Sequence, residues 1–269
     1  METELYNQVK ISVKRLLGIE LNHYKDEQMR RRLDAWLVRT GSASWEQYFK
    51  LVHSDSNELS RFRNYLTINV SEFFRDPERW QTLKTQILPD LIKDGRARSF
   101  KNGPRIWSAG CSIGPEPYTL AIILSELAVT HNHLLLATDL DRGALARAKA
   151  RGPFTSEDIR NVSAAERANY FDAGGPPFFT TGKLASLITF QEQDLLQDTF
   201  DDNFDLIVCR NVIIYFTTEA KNILYNKFSR ALRPGGILFL GGTEIIPKPQ
   251  DFSLQSQGFS FYKKVQIAA

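Results

Sequence analysis

Apolar residues over the first 68 positions recur at the three- and four-residue spacing of amphipathic helices. Leu5, Val9 and Val13 fall on one helical face, and Leu33 and Trp36 fall on a second. The apolar faces of the four predicted helices span residues 5–17, 33–37, 45–52 and 58–68. Helices of this length bury such faces against one another, so residues 1–68 are predicted to form a small all-helical domain.

After a linker at residues 69–76, the pattern changes to short apolar runs that alternate with amphipathic segments. The predicted strands lie at 105–107, 133–139, 188–190, 204–208 and 237–240. Strand–helix alternation predicts a parallel sheet, while residues 252–265 predict an antiparallel pair joined near Gly258. We therefore expect residues 77–269 to form an α/β domain with a doubly wound, mostly parallel sheet and an antiparallel edge strand. Residues 172–187 are expected to form a small β insertion.

The stretch from Ile106 to Leu124 predicts a strand, a glycine turn and a helix, with Ala109 and Gly110 at the end of the strand. Small residues there let a ligand lie against bare backbone. The spacing is not Gly-x-Gly-x-x-Gly, and no Gly-Lys-Ser/Thr follows, so a dinucleotide or P-loop nucleotide is poorly supported. Glu116 in the turn repels phosphate and attracts the sulfonium and ammonium groups of S-adenosylmethionine. The alternative is that Glu116 only complements a helix dipole.

Polar residues also stand where three later strands are predicted to end. Asp139 comes about 25 positions after Gly114, where an acidic residue commonly binds ribose hydroxyls. Asp141 is expected to cap the next helix, so one of these two acids is structural. The Asp194-Leu195 and Arg210-Asn211 pairs follow the next two strands, and ligands of open α/β sheets meet such positions.

Composition narrows the class of protein. The chain has 269 residues, 42% hydrophobic and 24% charged, and a net charge of +3, which is too small to indicate nucleic-acid binding. With only Cys111 and Cys209 and no apolar leader or run of about 20 apolar residues, we expect a cytoplasmic protein without membrane insertion. The basic run Arg30, Arg31 and Arg32 is either a solvated helix face or a dock for an acidic partner.

Several longer motifs match one family. They are NVSEFFRDP (69–77), WSAGCSIGPEPYT (107–119), ATDLD (137–141), YF (170–171), QDLL (193–196), CRNVIIYF (209–216), RPGG (233–236) and GGTE (241–244). On these motifs the chain resembles the chemotaxis receptor methyltransferases, which transfer methyl groups from S-adenosylmethionine to receptor glutamates. The resemblance implies a class I methyltransferase fold and a cytoplasmic enzyme that acts as a monomer on the cytoplasmic helices of chemoreceptors.

The resemblance also implies roles for individual residues. Arg75 would face the cofactor and the reaction site, where it could orient the substrate carboxylate, and Tyr215 would stand beside the substrate. If the basic run at Arg30, Arg31 and Arg32 is a dock, the receptor is the partner expected there. The expected cofactor-binding residues are Asn69, Ser71, Arg75, Ala109, Gly110, Glu116, Asp139, Asp194, Leu195, Asn211 and Val212. No metal is expected. The chain departs from the family pattern at Pro115, Ser71 and Asp194, where an acidic residue, a threonine and an asparagine are common.

Two other functions stay open at this point. One is a class I methyltransferase acting on RNA, DNA or a small molecule, although base methylation favours an Asn/Asp-Pro-Pro-aromatic tetrapeptide where this chain has Arg210 to Ile213. The other is a non-catalytic module that binds S-adenosylmethionine and signals through the helical domain. The length of the insertion after Phe171 also leaves open whether a receptor tail peptide is tethered there.

Overall fold

A computed structural model describes residues 1–67, 69–97, 103–127 and 133–265. Ile68, where the fourth helix was predicted to end, and the last four residues lie outside these ranges. The chain divides into two compact units. Unit 1 comprises Met1–Asn69 and Ile214–Ile223, and unit 2 comprises Val70–Ile213 and Leu224–Ala269.

Unit 1 is built from four amphipathic helices. They are α1 (Thr3–Leu17), α2 (Asp26–Thr40), α3 (Trp45–Ser54) and α4 (Ser56–Leu66). Ser44 caps α3, since its side chain accepts a hydrogen bond from the Gln47 amide. Trp36 donates to the Tyr48 hydroxyl over 2.6 Å, and that hydroxyl donates to buried Glu58 over 3.0 Å. The polar atoms of this aromatic core are thereby satisfied.

A short segment from the second half of the chain completes unit 1. The amide of Lys25 donates to the Tyr215 carbonyl, and the amide of Thr217 donates to the His23 carbonyl, both over 2.9 Å. The ring of Tyr24 meets the ring of Phe216 edge-on, with centroids 5.0 Å apart. Residues 214–223 therefore pack with the helical unit, which periodicity alone did not predict.

Unit 2 contains one seven-stranded sheet with the order β3-β2-β1-β4-β5-β7-β6. Its strands are β1 (Arg105–Ala109), β2 (Leu134–Asp139), β3 (Thr189–Glu192), β4 (Phe204–Cys209), β5 (Leu232–Leu240), β6 (Leu254–Ser256) and β7 (Phe261–Lys264). Strands β1 to β5 are parallel, and β7 pairs antiparallel with both of its neighbours. The predicted fold class is confirmed, and β7 is the reversed strand, lying just inside the edge strand β6.

The helices of unit 2 cover this sheet. They are α5 (Pro77–Thr82), α6 (Leu88–Ala97), α7 (Pro115–Glu126), α8 (Arg142–Lys149), α9 (Ala164–Tyr170), α10 (Gly182–Ala185) and α11 (Thr218–Ala231), of which α11 begins in unit 1. A single π turn at Leu83–Ile87 joins α5 to α6. Helix α7 is buried on all sides over its first ten residues, as expected for a helix that is apolar all round.

Several local features differ in detail from the sequence-based expectations. Strand β5 begins at Leu232 and includes the Arg-Pro-Gly-Gly turn, with a register shift against β4 between Phe204 and Leu206. Helix α5 begins at Pro77, and the side chain of Asp76 before it does not cap the helix but binds Arg210. None of the helices described by the structure is both long and apolar enough to cross a membrane.

Candidate cofactor and catalytic site

The glycine turn after β1 is a place of close backbone approach in unit 2. Gly110 and Gly114 have positive φ angles of 81° and 105°, which side-chain-bearing residues adopt reluctantly. A Cβ atom added to Gly110 would lie 2.6 Å from Val212 Cγ2, so only glycine fits against that side chain. The predicted strand, turn and helix are confirmed, with Ala109 as the last residue of β1.

Glu116 lies in the first turn of α7 and is buried. Its Oε1 accepts a hydrogen bond of 2.7 Å from the Ser108 hydroxyl. Burial raises the pKa of Glu116 to about 7, and the positive charges of Arg210 and Arg75 oppose that rise. A buried carboxylate with one neutral hydrogen-bond donor has room for a cationic partner such as the ammonium group of S-adenosylmethionine.

Asp139 ends β2 beside the same turn. Its two carboxylate oxygens accept backbone hydrogen bonds from Ser112 over 2.7 Å and from Asp141 over 2.9 Å. Burial raises the pKa of Asp139 to about 6, while these two hydrogen bonds act in the opposite direction. Each oxygen keeps a lone pair for a further donor such as a ribose hydroxyl. Asp141 caps α8 as expected, accepting from the amides of Gly143 and Ala144.

The turn that begins at Asp194 is held by its own backbone and by a lysine. Asp194 accepts from the amide of Leu196 over 2.8 Å, so its carboxylate orders the turn. The ammonium group of Lys227 in α11 donates to the carbonyls of Leu195, over 2.8 Å, and Asp198, over 2.6 Å. Sequence reasoning missed Lys227, because a side chain that binds distant backbone carbonyls leaves no local pattern.

Asn211 and Val212 follow the end of β4. Asn211 has a positive φ of 59°, and its Oδ1 is buried without a hydrogen-bond partner among the described residues. A buried acceptor without a donor is costly, so this atom fits a position that a bound group would satisfy. Glu244 accepts from the amide of Asn211 over 2.8 Å, a role that sequence reasoning also missed.

The linker before α5 is fixed by its neighbours on both sides of Arg75. The Phe73 amide donates to the Asp158 carbonyl over 2.8 Å, and the Phe74 amide donates to Thr119 Oγ1 over 3.0 Å. Among the described residues, Arg75 forms no ion pair or hydrogen bond through its guanidinium group, which acts electrostatically on Glu116. Half-buried Ser71 lies in the same linker, within unit 2.

The remaining predicted site residues belong to unit 1. Asn69 donates to Thr67 Oγ1 over 3.3 Å. Arg30 binds the Met1 carbonyl over 3.2 Å, and Arg32 binds the Tyr65 carbonyl over 2.8 Å, so both are held within the unit. The side chain of Arg31 is 72% exposed, and its contact with Glu27 is a long 3.8 Å. A cavity of about 210 Å³ in this unit is lined by Tyr24, Lys25, Gln28, Met29, Arg31, Arg32 and Tyr215.

Comparison with known proteins decides the family. Residues 69–259 match the model of the "CheR methyltransferase, SAM binding domain", and residues 4–67 match that of the "CheR methyltransferase, all-alpha domain". The chain belongs to the CheR methyltransferase family. It is 41% identical to the chemotaxis protein methyltransferase of Listeria monocytogenes over 94% of each chain. It is 32% identical to chemotaxis protein methyltransferase 1 of Pseudomonas aeruginosa over 88% of each chain.

Family membership identifies the cofactor as S-adenosylmethionine, and the residues of unit 2 fit it. The buried carboxylate of Glu116 suits an ammonium group, and the lone pairs of Asp139 suit two hydroxyls. The unpartnered Oδ1 of Asn211 suits a donor on the ligand. The individual contacts remain predictions. The enzyme is a methyltransferase that takes its methyl group from this cofactor.

Proposed function

We propose that this enzyme methylates glutamate side chains on the cytoplasmic helices of chemoreceptors and produces glutamate methyl esters. Membership of the CheR methyltransferase family carries the proposal. The names of the relatives, which are chemotaxis protein methyltransferases, support it. We further propose that the enzyme acts in the cytoplasm as a monomer and does not take nucleic acid as its substrate.

The chemistry requires little from the protein beyond orientation. A glutamate carboxylate is already ionised at neutral pH, since its ordinary pKa is near 4.3. One carboxylate oxygen forms a bond to the methyl carbon, the carbon–sulfur bond breaks, and its electron pair stays on sulfur. S-adenosylmethionine supplies an activated methyl group with a neutral thioether as leaving group. One negative and one positive charge are consumed, so no proton moves and no general base is needed.

Arg75 is the residue proposed to orient the incoming carboxylate. Its guanidinium group is without a partner among the described residues, while Asp76 and Phe74 on either side of it are fixed. A guanidinium fork binds a carboxylate through two parallel hydrogen bonds, which sets the direction of approach. Holding two reactants in line contributes roughly 7–11 kcal/mol to rate acceleration in favourable cases. Arg75 therefore acts by positioning, because a strong grip on both oxygens would weaken the nucleophile.

In unit 2 the cofactor-binding residues proposed are Ser71, Ala109, Gly110, Glu116, Asp139, Asp194, Leu195, Asn211 and Val212, together with Arg75; Asn69 is proposed from unit 1. Glu116 would bind the ammonium group of the methionine part, and Asp139 would bind the ribose hydroxyls. The Asp194-Leu195 turn would flank the adenine, whose amino group requires an acceptor.

Docking of the receptor is proposed for the exposed basic surface of unit 1. Arg31 and Lys25 line the cavity that also contains Tyr215, and receptor segments rich in glutamate are complementary to this charge. Arg30 and Arg32 add positive charge to this surface, although their guanidinium groups already bind backbone carbonyls within unit 1. The proposed role for Tyr215 is to contact the receptor substrate.

The experiment that tests the function is incubation of the enzyme with methyl-labelled S-adenosylmethionine and membranes that carry the cognate chemoreceptor. We expect label on the receptor that alkali releases as methanol, because methyl esters are hydrolysed by base. Receptor in which the candidate glutamates are replaced by alanine serves as the control. Alkali-stable label, label in nucleic acid, or no label on the receptor would overturn the proposal.

A further inference from the structure

Glu244 has an unusual set of partners for a buried carboxylate. The residue is 5% exposed and follows β5 by four positions. Its Oε2 accepts from the amides of Asn211, over 2.8 Å, and Gly241, over 2.7 Å, while its Oε1 accepts from the amide of Ile213 over 2.8 Å. Hydrogen bonds to an ionised acceptor are about twice as strong as neutral ones, so three of them fix the loop after β4 firmly.

These contacts hold Asn211 in a backbone conformation that it would not choose alone. Its φ of 59° is left-handed, which asparagine tolerates better than most residues but still disfavours. The amides before and after Val212 are both bound to Glu244, so the carboxylate spans the strained position. Strain of this kind persists only where surrounding contacts over-determine it, and it concentrates at ligand sites.

Two glycines show that the loop has no space to relax. A Cβ atom at Gly241 would lie 2.6 Å from Glu244 Oε2 and 3.0 Å from the Asn211 amide nitrogen. A Cβ atom at Gly110 would lie 2.6 Å from Val212 Cγ2. The loop after β4 is thus fitted between the glycine turn after β1 on one side and the turn after β5 on the other.

We infer that Glu244 is a positioning residue that presents Asn211 and Val212 to the cofactor. The inference rests on the proposed cofactor contacts of those two residues. Glu244 does not touch the cofactor in this account. It holds the backbone so that Asn211 Oδ1, which is buried without a partner among the described residues, meets a donor on the ligand.

Two substitutions separate hydrogen-bond geometry from charge. Glu244→Gln keeps the length of the side chain, but its NH₂ group faces backbone N–H donors that need an acceptor. Glu244→Asp keeps the charge but withdraws it by one methylene. If Glu244 acts through its three hydrogen bonds, both variants should weaken binding of S-adenosylhomocysteine at least tenfold by calorimetry. If only its negative charge mattered, Glu244→Asp would bind as wild type, and the inference would be wrong.

Coupling to Asn211 tests the positioning role itself. We expect Asn211→Ala to weaken the binding of S-adenosylhomocysteine. The double variant that combines it with Glu244→Gln should have a Kd within twofold of the weaker-binding single variant. We also expect Glu244→Gln to raise the KM for the methyl donor while kcat at saturating donor and the KM for receptor stay within twofold. A merely structural role would give additive losses, and it would lower kcat and change the KM for receptor along with the KM for the donor.

A control variant and three further substitutions distinguish failure of the positioning role from failure of the proposed cofactor contacts. Glu219→Gln changes an exposed glutamate and should leave binding unchanged. If Glu244→Gln does not fold, Gly241→Ala disturbs the same carboxylate with a single methyl group and should also weaken binding. Normal binding by Asn211→Ala and Val212→Gly would refute the cofactor contacts themselves. Weak binding by those two variants with normal binding by the Glu244 variants would refute only the positioning role.

Discussion

The carboxylate of Asp76 forms an ion pair with Arg210, with 2.5 Å between Oδ2 and Nη2. The Arg210 side chain is 2% exposed and lies over the rings of Trp80 and Phe239, 5.2 and 5.0 Å from their centroids. This pair joins the linker to the residue immediately after β4. It fixes the linker at Asp76 and leaves the guanidinium of the adjacent Arg75 available for a ligand.

Replacing Asp76 with alanine should destabilise the protein, because a buried guanidinium would lose its carboxylate. Hydrogen bonds to charged groups contribute about 1.5–3 kcal/mol, and we expect a loss of that order in the free energy of unfolding. Chemical denaturation measures it, with Glu78→Ala as the control at an exposed acidic residue two positions later. Equal stability of the two variants would contradict the structural role of the pair.

Replacing Arg75 with alanine should lower kcat by roughly 100-fold, about 2.7 kcal/mol, because the carboxylate loses its orienting fork. The midpoint of thermal unfolding should stay close to that of wild type, since Arg75 forms no hydrogen bond with other described residues. Arg75→Lys keeps the charge without the fork and should give an intermediate kcat. An unchanged kcat in Arg75→Ala would remove this residue from the mechanism.

Affinity for S-adenosylmethionine should fall as the pH is lowered below about 7. Burial places the pKa of Glu116 at about 7, and only its ionised form binds an ammonium group. Between pH 7 and pH 6 one proton must leave before binding, so the Kd should rise about tenfold per pH unit in that range. Calorimetric titrations from pH 5.5 to 8 would measure the profile.

The control for this profile is Glu116→Gln, which cannot ionise. This variant should bind S-adenosylmethionine roughly 10- to 100-fold more weakly at pH 7.5. Its remaining loss of affinity at low pH should have a midpoint near 6, because burial raises the pKa of Asp139 to about 6. Loss of affinity on the acid side with the same midpoint in the variant would show that another group is responsible.

Lys227→Met should weaken binding of adenosine and S-adenosylhomocysteine, because the Leu195 carbonyl loses a charged donor and the Asp194 turn loosens. We expect a three- to tenfold rise in Kd, corresponding to about 1 kcal/mol. Lys248→Met, at an exposed position, is the matched control. Equal affinities for the two variants would mean that the turn does not border the adenine.

Arg31→Glu should raise the KM for receptor without changing the KM for methyl donor. An exposed interfacial charge is worth about 1 kcal/mol, so a five- to tenfold change is expected, and it should shrink at high salt. Arg15→Glu makes the same charge reversal at an exposed position of α1. If both variants respond equally, the effect comes from net charge and not from a docking surface.

Local patterns predicted most of the fold. The strand, turn and helix from Ile106 to Leu124, the four helices of unit 1 and the antiparallel pair near the chain end all follow from short-range periodicity and turn residues. The packing of residues 214–223 with unit 1 did not, because hydrogen bonds such as Lys25 to Tyr215 join positions distant in sequence.

The sequence predicted candidate ligand-binding residues, but it did not predict the residues that hold the neighbouring loops in place. Glu116 lies in the first turn of α7 and Asp139 ends β2, at the edge where α/β sheets commonly meet their ligands, so position alone was enough to predict them as site residues. Glu244 and Lys227 support neighbouring loops through backbone amides and carbonyls, which any residue provides. Such contacts produce no motif spacing. The ion pair between Asp76 and Arg210 likewise has no local signal, because the two residues are 134 positions apart in the chain.

The most direct test of the whole account is a crystal structure of the enzyme with S-adenosylhomocysteine bound. We predict the ligand ammonium within hydrogen-bond distance of Glu116, the ribose hydroxyls on Asp139, and Asn211 Oδ1 with a ligand donor. Arg75 should face the position of the departed methyl group. A ligand bound away from the carboxyl ends of β1, β2 and β4, or one whose sulfur lies far from Arg75, would contradict the account.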